Sequence, residues 1–138
     1  MVDSRFCHIT AELSSEAYNH GISAANWAYY KWDVKWKSDT TRLRSYIPNT
    51  GSHVIGASLP RQAWVRLNRL RTGVGLFKST LHKWGVANSP FCECGAEEQT
   101  ADHIIKDCTI NRPPNGEEGL RDLDDETVKW LLNTDLAV

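Results

Sequence analysis

The sequence lacks any long run of apolar residues, and this absence excludes a protein with membrane-spanning helices. A helix that spans a membrane needs about 20 consecutive, mostly apolar residues, and no run in the 138 residues approaches that length. The segment 1–19 also lacks the basic start and the apolar centre of a secretory signal peptide. We therefore expect a soluble, intracellular protein with no membrane partner, and the sequence does not distinguish the nucleus from the cytoplasm.

Cysteine is scarce, with four residues in the chain. Three of the four lie between positions 92 and 108, with a histidine among them. In a reducing compartment, cysteines grouped in this way are more often metal ligands than disulfide partners. Cys7 lies far from the group, and we interpret it as a small buried thiol without a ligand role.

Net charge is also nearly absent, at -1, but the charges are unevenly distributed. Residues 31–83 carry eleven Lys and Arg against two Asp, and residues 92–126 carry eleven acids against three basic residues. The basic stretch predicts affinity for anions. The acidic stretch is a candidate electrostatic partner for the basic stretch within the same chain.

Apolar residues recur at helical spacing in several segments, and no internal repeat is visible. Ser23 is predicted to cap a first helix, Pro60 to open the clearest helix, and Gly73 to end it. Asp124 is predicted to cap the last helix. The aromatics of residues 27–36 are interpreted as core, and the alternative is a surface that stacks single-stranded bases, because lysines lie between them.

A metal site is predicted from the pattern Cys-x-Cys-x8-His-x4-Cys. Its residues are Cys92, Cys94, His103 and Cys108. Thiolates and imidazole are preferred ligands of zinc, and four protein ligands leave no open position for water or substrate. We therefore predict a structural Zn²⁺; the alternative is small buried residues with a chance histidine. Ile104 and Ile105 are predicted to form a miniature core that is too small to order the segment without the ion.

These inferences together predict a mainly α fold: a small helical domain with a C-terminal Cys-Cys-His-Cys zinc knuckle and a short terminal helix. Four segments are expected. They are an N-terminal, aromatic-rich helical segment and loop at 1–58, a basic helical hairpin at 59–90, the zinc knuckle at 91–110, and an acidic linker with a terminal helix at 111–138.

Four stretches of the chain occur in an order that is specific to one family: LPRQAWVRLNRLRTGVG, LHKWG, CECGAEEQTADHIIKDC and WLLNTDL. Together they resemble the C-terminal region of the reverse transcriptase of non-LTR (LINE-type) retrotransposons, over about residues 24–136. The resemblance implies that the four metal ligands are the family's knuckle and that the preceding region follows the polymerase thumb. It also implies binding of element RNA or target DNA during target-primed reverse transcription, with the remainder of the polyprotein as a further partner.

The family's catalytic parts are not found in these residues. There is no palm domain, no strand with an aromatic-x-Asp-Asp signature and no endonuclease module, and the doublet Asp124-Asp125 is interpreted as a helix cap. Nucleotidyl transfer needs metal ions that such carboxylates hold. We therefore predict a non-enzymatic fragment or a decayed copy.

Six basic residues are predicted to contact nucleic acid. They are Arg61, Arg66, Arg69, Arg71, Lys78 and Lys83. Helical spacing places Arg66 and Arg69 on a face separate from the apolar one, and arginine suits bidentate phosphate contact. One alternative is a solvated face whose charges serve solubility or pair with the acidic segment. Another is a zinc-braced protein-interaction module with no nucleic-acid role.

Overall fold

The computed structural model describes residue 15 and residues 17–137, so that Cys7 lies outside the described part. The regular structure of the described residues is helical, without strands, and the predicted mainly α fold is confirmed. Residues 15 and 17–19 are helical, and the helices that follow are α1 (Ala24–Ser38), α2 (Arg42–Tyr46), α3 (Arg61–Thr72), α4 (Lys78–Lys83), α5 (Ala101–Lys106), α6 (Gly116–Asp122) and α7 (Asp125–Asn133). Within the described part, no helix combines the length and the apolar character that a membrane span requires.

The chain divides into two compact units, Met1–Thr40 and Thr41–Val138. The first unit contains α1, which begins where the sequence predicts. The side-chain oxygen of Ser23 accepts a hydrogen bond from the backbone N–H of Asn26 and so satisfies one of the unpaired donors of the first turn. Trp27 is the buried aromatic residue of this helix, and its ring stacks on those of His20 and Tyr30.

The other aromatics of α1 are mostly outside any core. Tyr29 is 76% exposed and Trp32 is 65% exposed. The interpretation of the segment as a buried aromatic face is therefore wrong for these residues. Helical spacing predicts which side chains share a face, but burial also requires a second surface that covers that face.

The second unit is organised around α3, which packs against α2, α5 and α7. The predicted apolar face of α3 is buried: Ala63, Leu67 and Leu70 are fully enclosed. The other helices contribute further side chains to the same cluster. These are Ile104 and Ile105 from α5, Leu120 from α6 and Leu131 from α7. The prediction of a separate miniature core for Ile104 and Ile105 is therefore wrong, because α5 packs directly against α3.

Gly73 ends α3, as predicted. Its φ of 72° is left-handed, and its N–H donates to the carbonyl of Arg69. The next helix, α4, has only six residues. Phe77 is buried just before it, whereas Trp84 just after it is 65% exposed.

Arginine side chains hold the C-terminal ends of four helices in the second unit. The last carbonyls of a helix lack partners within the helix, and they carry the negative end of its dipole. The pairs are Arg42 with Leu70 and Arg71 in α3, Arg66 with Leu131 in α7, Arg71 with Leu120 in α6, and Arg121 with Ser45 in α2. Three of the eleven basic residues of the basic stretch, Arg42, Arg66 and Arg71, therefore stabilise helix ends inside the unit.

Candidate metal centre and basic cavity

The four predicted metal ligands converge on one point. The sulfur atoms of Cys92, Cys94 and Cys108 and a ring nitrogen of His103 all lie within 4.8 Å of one another. The Sγ atoms of Cys92 and Cys108 are 3.7 Å apart, and Cys94 Sγ is 3.1 Å from His103 Nε2. In a tetrahedral site with bonds of about 2.3 Å, neighbouring ligand atoms are about 3.8 Å apart. The arrangement is therefore compatible with a zinc site.

A tight turn brings the first two sulfurs to the same side. The N–H of Cys92 donates to the carbonyl of Ala96 at 2.9 Å, and the N–H of Gly95 donates to the carbonyl of Cys92 at 3.0 Å. Gly95 has a φ of 93°, in a region that residues with a side chain rarely adopt. This glycine allows the short Cys-x-Cys spacing to present both thiols to one ion.

The other two ligands are positioned by α5. The hydroxyl of Thr100 accepts a hydrogen bond from the backbone N–H of His103 at 3.2 Å, as expected of a helix cap. After Lys106 the helix loosens, and the N–H of Cys108 donates to the carbonyl of His103, five residues earlier, at 2.8 Å. This wider turn rotates Cys108 inward, which a continuous helix would not do.

The surroundings of the sulfurs differ in their effect on thiol ionisation. A hydrogen bond involving the backbone of Ala96 is the main cause that lowers the pKa of Cys94 to about 6. Burial raises the pKa of Cys92. The backbone N–H of Asn111 donates to the sulfur of Cys108 at 3.3 Å. Zinc binds the thiolate form, so the lowered pKa of Cys94 favours ligation by this sulfur, whereas burial of Cys92 opposes its ionisation.

Gln99 attaches the segment of the candidate metal ligands to α4, a role that no feature of the sequence indicates. The side chain is 3% exposed, and its Oε1 accepts a hydrogen bond from the backbone N–H of Lys78 at 3.0 Å. Its backbone carbonyl accepts from the N–H of Ser79. Because Phe77 at the N-cap position provides no side-chain acceptor, Gln99 caps α4 from another segment of the chain.

Arg42 provides a second attachment. Its guanidinium donates to the carbonyls of Leu70 and Arg71 at the end of α3, and it also forms an ion pair with Asp102 in the first turn of α5. One side chain of α2 thus links α3 to the helix that carries a metal ligand. The Asp102 side chain is well exposed, so most of the stabilisation comes from the carbonyl contacts.

The acidic doublet that the sequence assigned to a cap begins α7. The carboxylate of Asp124 accepts a hydrogen bond from the backbone N–H of Thr127 at 2.8 Å and another from its hydroxyl at 3.0 Å. The backbone bond is the main cause that lowers the pKa of Asp124 below its usual value. The interpretation of this doublet as a helix cap is confirmed.

The structure separates the six basic residues that were predicted to contact nucleic acid. Arg71 is 1% exposed, and its guanidinium donates to the carbonyls of Leu120 and Ile55. Burial lowers the pKa of this group. Because its donors are directed to backbone carbonyls inside the unit, Arg71 does not reach a phosphate in this fold, and the prediction for this residue is wrong.

Three of the remaining residues lie together. Arg61, Arg66 and Arg69 line one cavity of about 540 Å³, which we call the basic cavity. Its apolar lining includes Val65 and Leu76. An Arg66 nitrogen also donates to a carbonyl of α7. The cavity therefore combines cationic side chains with an apolar wall.

The two lysines are not part of this cavity lining. The ammonium of Lys78 lies 3.2 Å from a carboxylate oxygen of Glu93, in an ion pair near the metal centre. Lys83 is exposed at the end of α4. The pair between Lys78 and Glu93 is an example of the basic and acidic stretches contacting each other within the chain.

Comparison with known proteins finds two related sequences. The chain is 30% identical over 97 residues to the Retrovirus-related Pol polyprotein from type-1 retrotransposable element R1 of Bradysia coprophila, a match that covers 67% of this chain and 8% of that protein. It is 32% identical over 85 residues to the protein of the same name from Popillia japonica, covering 58% of this chain and 31% of that protein. The chain thus spans less than a third of either relative.

No protein-family profile matches the chain, and no solved structure matches it. The two sequence matches and the convergence of the four ligand residues agree with the resemblance stated above. The chain is therefore related to R1 retrotransposon Pol polyproteins, and it has the features of the C-terminal region of a non-LTR retrotransposon reverse transcriptase.

Proposed function

We propose that this chain is a non-catalytic, nucleic-acid-binding part of a retrotransposon reverse transcriptase, braced by a structural Zn²⁺. The zinc ligands are Cys92, Cys94, His103 and Cys108. All four positions of a tetrahedral ion are then occupied by protein atoms, and the ion supplies rigidity instead of an open site for reaction. Three thiolates also make it a poor Lewis acid.

The observation that supports nucleic-acid binding is the grouping of Arg61, Arg66 and Arg69 around the basic cavity. Guanidinium groups suit phosphate oxygens, because their planar donors match two oxygens at once. The apolar wall next to them can cover the ring of an unpaired base or the face of a sugar. We infer that an element transcript or a target-site strand occupies this cavity through its backbone.

Salt dependence of binding tests this proposal. If the cavity neutralises about three phosphates of a single strand, the logarithm of the association constant falls with the logarithm of salt concentration with a slope near -2.1, from roughly -0.7 per contact. The measurement is fluorescence anisotropy with labelled RNA and DNA oligonucleotides and zinc-loaded protein. Absence of salt-dependent association at low ionic strength would contradict nucleic-acid binding.

Charge-neutral variants locate the contact. Arg61→Gln with Arg69→Gln is expected to reduce the slope by about 1.4, because two phosphate contacts are lost. The matched control is Lys106→Gln, which removes a positive charge from an exposed position of α5 outside the cavity lining. If Lys106→Gln reduced the slope by as much per removed charge as the double variant, net charge, and not the cavity, would govern binding.

A second candidate function is a zinc-braced protein-interaction module. The ion pairs of the metal-binding segment with Lys78 and Arg42 favour it, because they show acidic side chains contacting basic ones within this chain. Under this alternative, reversing the charges of Glu97 and Glu98, which are both exposed, changes binding of a basic partner. The arginine variants would then have little effect.

A further inference from the structure

A second cavity lies beside the basic cavity and shares part of its wall. The two cavities have Leu76, Leu136 and Ala137 in common. The second cavity has a volume of about 250 Å³, and we call it the polar cavity. Apart from Leu81, its remaining lining residues carry side chains that form hydrogen bonds: Lys78, Glu93, Gln99, Asn111 and Asp135. A ligand that extends across the shared wall therefore meets two different chemical environments.

The two cavities differ in charge. Three arginines line the basic cavity, and no described residue of its lining is acidic. The polar cavity has the carboxylates of Glu93 and Asp135 against the ammonium of Lys78. Carboxylates repel phosphate, so the polar cavity favours a neutral group that donates hydrogen bonds. An unpaired base is such a group in a strand whose phosphates occupy the basic cavity.

Two neighbours hold the carboxylate of Glu93, which lines the polar cavity. Its Oε1 accepts a hydrogen bond from Lys78 Nζ at 3.2 Å, and its Oε2 accepts one from the side-chain amide of Asn111 at 3.3 Å. An ionised carboxylate has about four acceptor positions, and the side chain of Glu93 is 56% exposed. Each of its oxygens can therefore accept a further hydrogen bond from a ligand.

Guanine is the base whose pairing edge matches a carboxylate. Its ring N1–H and its exocyclic N2 amino group are two donors side by side, and paired donors of this kind bond to both oxygens of a carboxylate at once. Adenine and cytosine present one amino group next to an acceptor nitrogen, and uracil presents one N–H between two carbonyl acceptors. The side chains of Leu76 and Leu81 add apolar surface that can contact the face of the ring.

We propose that the polar cavity recognises one unpaired guanine of a single strand, and that the carboxylate of Glu93 accepts hydrogen bonds from its N1–H and its N2 amino group. The inference rests on the proposed nucleic-acid-binding function and adds base selectivity to it, because phosphate contacts alone carry no sequence information. The flanking phosphates contact the guanidinium groups of the basic cavity. Proteins that read single strands commonly bond to the pairing edge of an unstacked base in this way.

Three RNA probes test the inference on the zinc-loaded full chain by fluorescence anisotropy at low ionic strength. They are fluorescein-labelled oligouridines of equal length with guanosine, inosine or uridine at the central position. The guanosine probe is expected to bind between about 5-fold and about 150-fold more tightly than the uridine probe. Inosine keeps the N1–H and lacks the amino group, so its probe is expected to bind with intermediate affinity.

Glu93→Gln replaces one carboxylate oxygen by an amide donor at nearly constant size, and it is expected to remove most of the preference for guanosine. Glu97→Gln is the matched control, because Glu97 is an exposed glutamate of the same segment and lies outside the cavity lining. It removes the same charge and is expected to retain the wild-type preference. Equal binding of the three probes by wild-type protein, a preference that survives Glu93→Gln, or an equal loss in Glu97→Gln would overturn the inference.

The outcome for the polar cavity is separable from the outcome for the basic cavity. If wild-type protein binds all three probes equally and the variant at Arg61 and Arg69 lowers the salt slope, the inference fails and the proposed function stands. If wild-type protein binds no probe at low ionic strength, both fail. Guanosine monophosphate is added as a competitor, and displacement of the guanosine probe by an equimolar amount would identify a free nucleotide as the ligand and overturn recognition of a strand.

Discussion

The buried arginine of α3 allows a quantitative test of the fold. Arg71 donates from Nε and Nη2 to the carbonyl of Leu120 at 2.9 and 2.7 Å, and from Nη1 to the carbonyl of Ile55 at 2.8 Å. Arg71→Met keeps an apolar stem and removes every donor. Each buried carbonyl that loses its partner costs about 1–3 kcal/mol, and removal of a desolvated cation offsets part of the loss. We expect the free energy of unfolding to fall by about 2–5 kcal/mol.

The assay is urea denaturation of the zinc-loaded protein, followed by circular dichroism. Arg61→Met is the matched control on the same helix, because Arg61 is exposed; a change within about 0.5 kcal/mol is expected for it. Arg71→Lys is expected to lie between wild type and Arg71→Met, since one ammonium cannot reproduce the geometry of the guanidinium.

Two results would refute this reasoning. If the free energy of unfolding of Arg71→Met lies within about 0.5 kcal/mol of the wild-type value, the side chain does not hold the end of α6 and the loop at Ile55. If the variant retains its stability and loses oligonucleotide affinity, Arg71 acts as the nucleic-acid contact that its position in the sequence suggested.

Three further predictions concern caps and close packing in the second unit. Gln99→Ala is expected to lower the free energy of unfolding by about 1–2 kcal/mol, because α4 loses its acceptor; an equal effect of Gln62→Ala, an exposed glutamine of α3, would contradict this. Gly119→Ala is expected to lower the free energy of unfolding by about 1–3 kcal/mol, because the new Cβ would overlap Thr127 Oγ1. Replacement of glycine by alanine inside a helix usually raises stability, so an unchanged urea midpoint would contradict the close contact. The lowered pKa of Asp124 means that its cap contributes stability above the ordinary Asp pKa, and that this contribution is lost as pH falls through the folded pKa. Urea midpoints measured from about pH 6 to about pH 2 are expected to show a smaller acid-induced decrease in Asp124→Asn than in wild type, and identical curves would refute the cap's role.

Local signals in the sequence were sufficient to predict that the four candidate ligands converge. The four ligands lie within one short segment, and their spacing follows from a glycine turn and a capped helix of α5. The caps at Ser23 and Asp124 were likewise predicted, because each bonds to a backbone N–H three residues later. Such contacts form between residues that are close together in the chain, so they can be predicted from the sequence alone.

Contacts between distant segments could not be predicted from the sequence in this way. Periodicity placed the arginines of α3 relative to its apolar face, but the partner of Arg71 is 49 residues away, and its carbonyl is available only because α6 ends there. No local feature of the sequence indicates that Gln99 caps α4, because the helix begins at Lys78, 21 residues earlier. The exposure of Trp32 depends on what packs against α1, which helical spacing does not specify.

The proposed zinc ion is expected to affect the stability of the second unit. Ile104 and Ile105 lie between the ligands His103 and Cys108 and belong to the same core as α3, α6 and α7. Removal of the ion is therefore expected to destabilise the whole unit, since metal-binding free energy is also folding free energy.

Elemental analysis of the purified chain, after exhaustive dialysis against metal-free buffer, tests the zinc centre most directly. One zinc ion per chain is expected in wild-type protein, and Cys92→Ser with Cys108→Ser is expected to abolish the bound zinc. A folded wild-type chain without zinc, or one zinc ion retained by the double variant, would contradict a structural ion at these four residues.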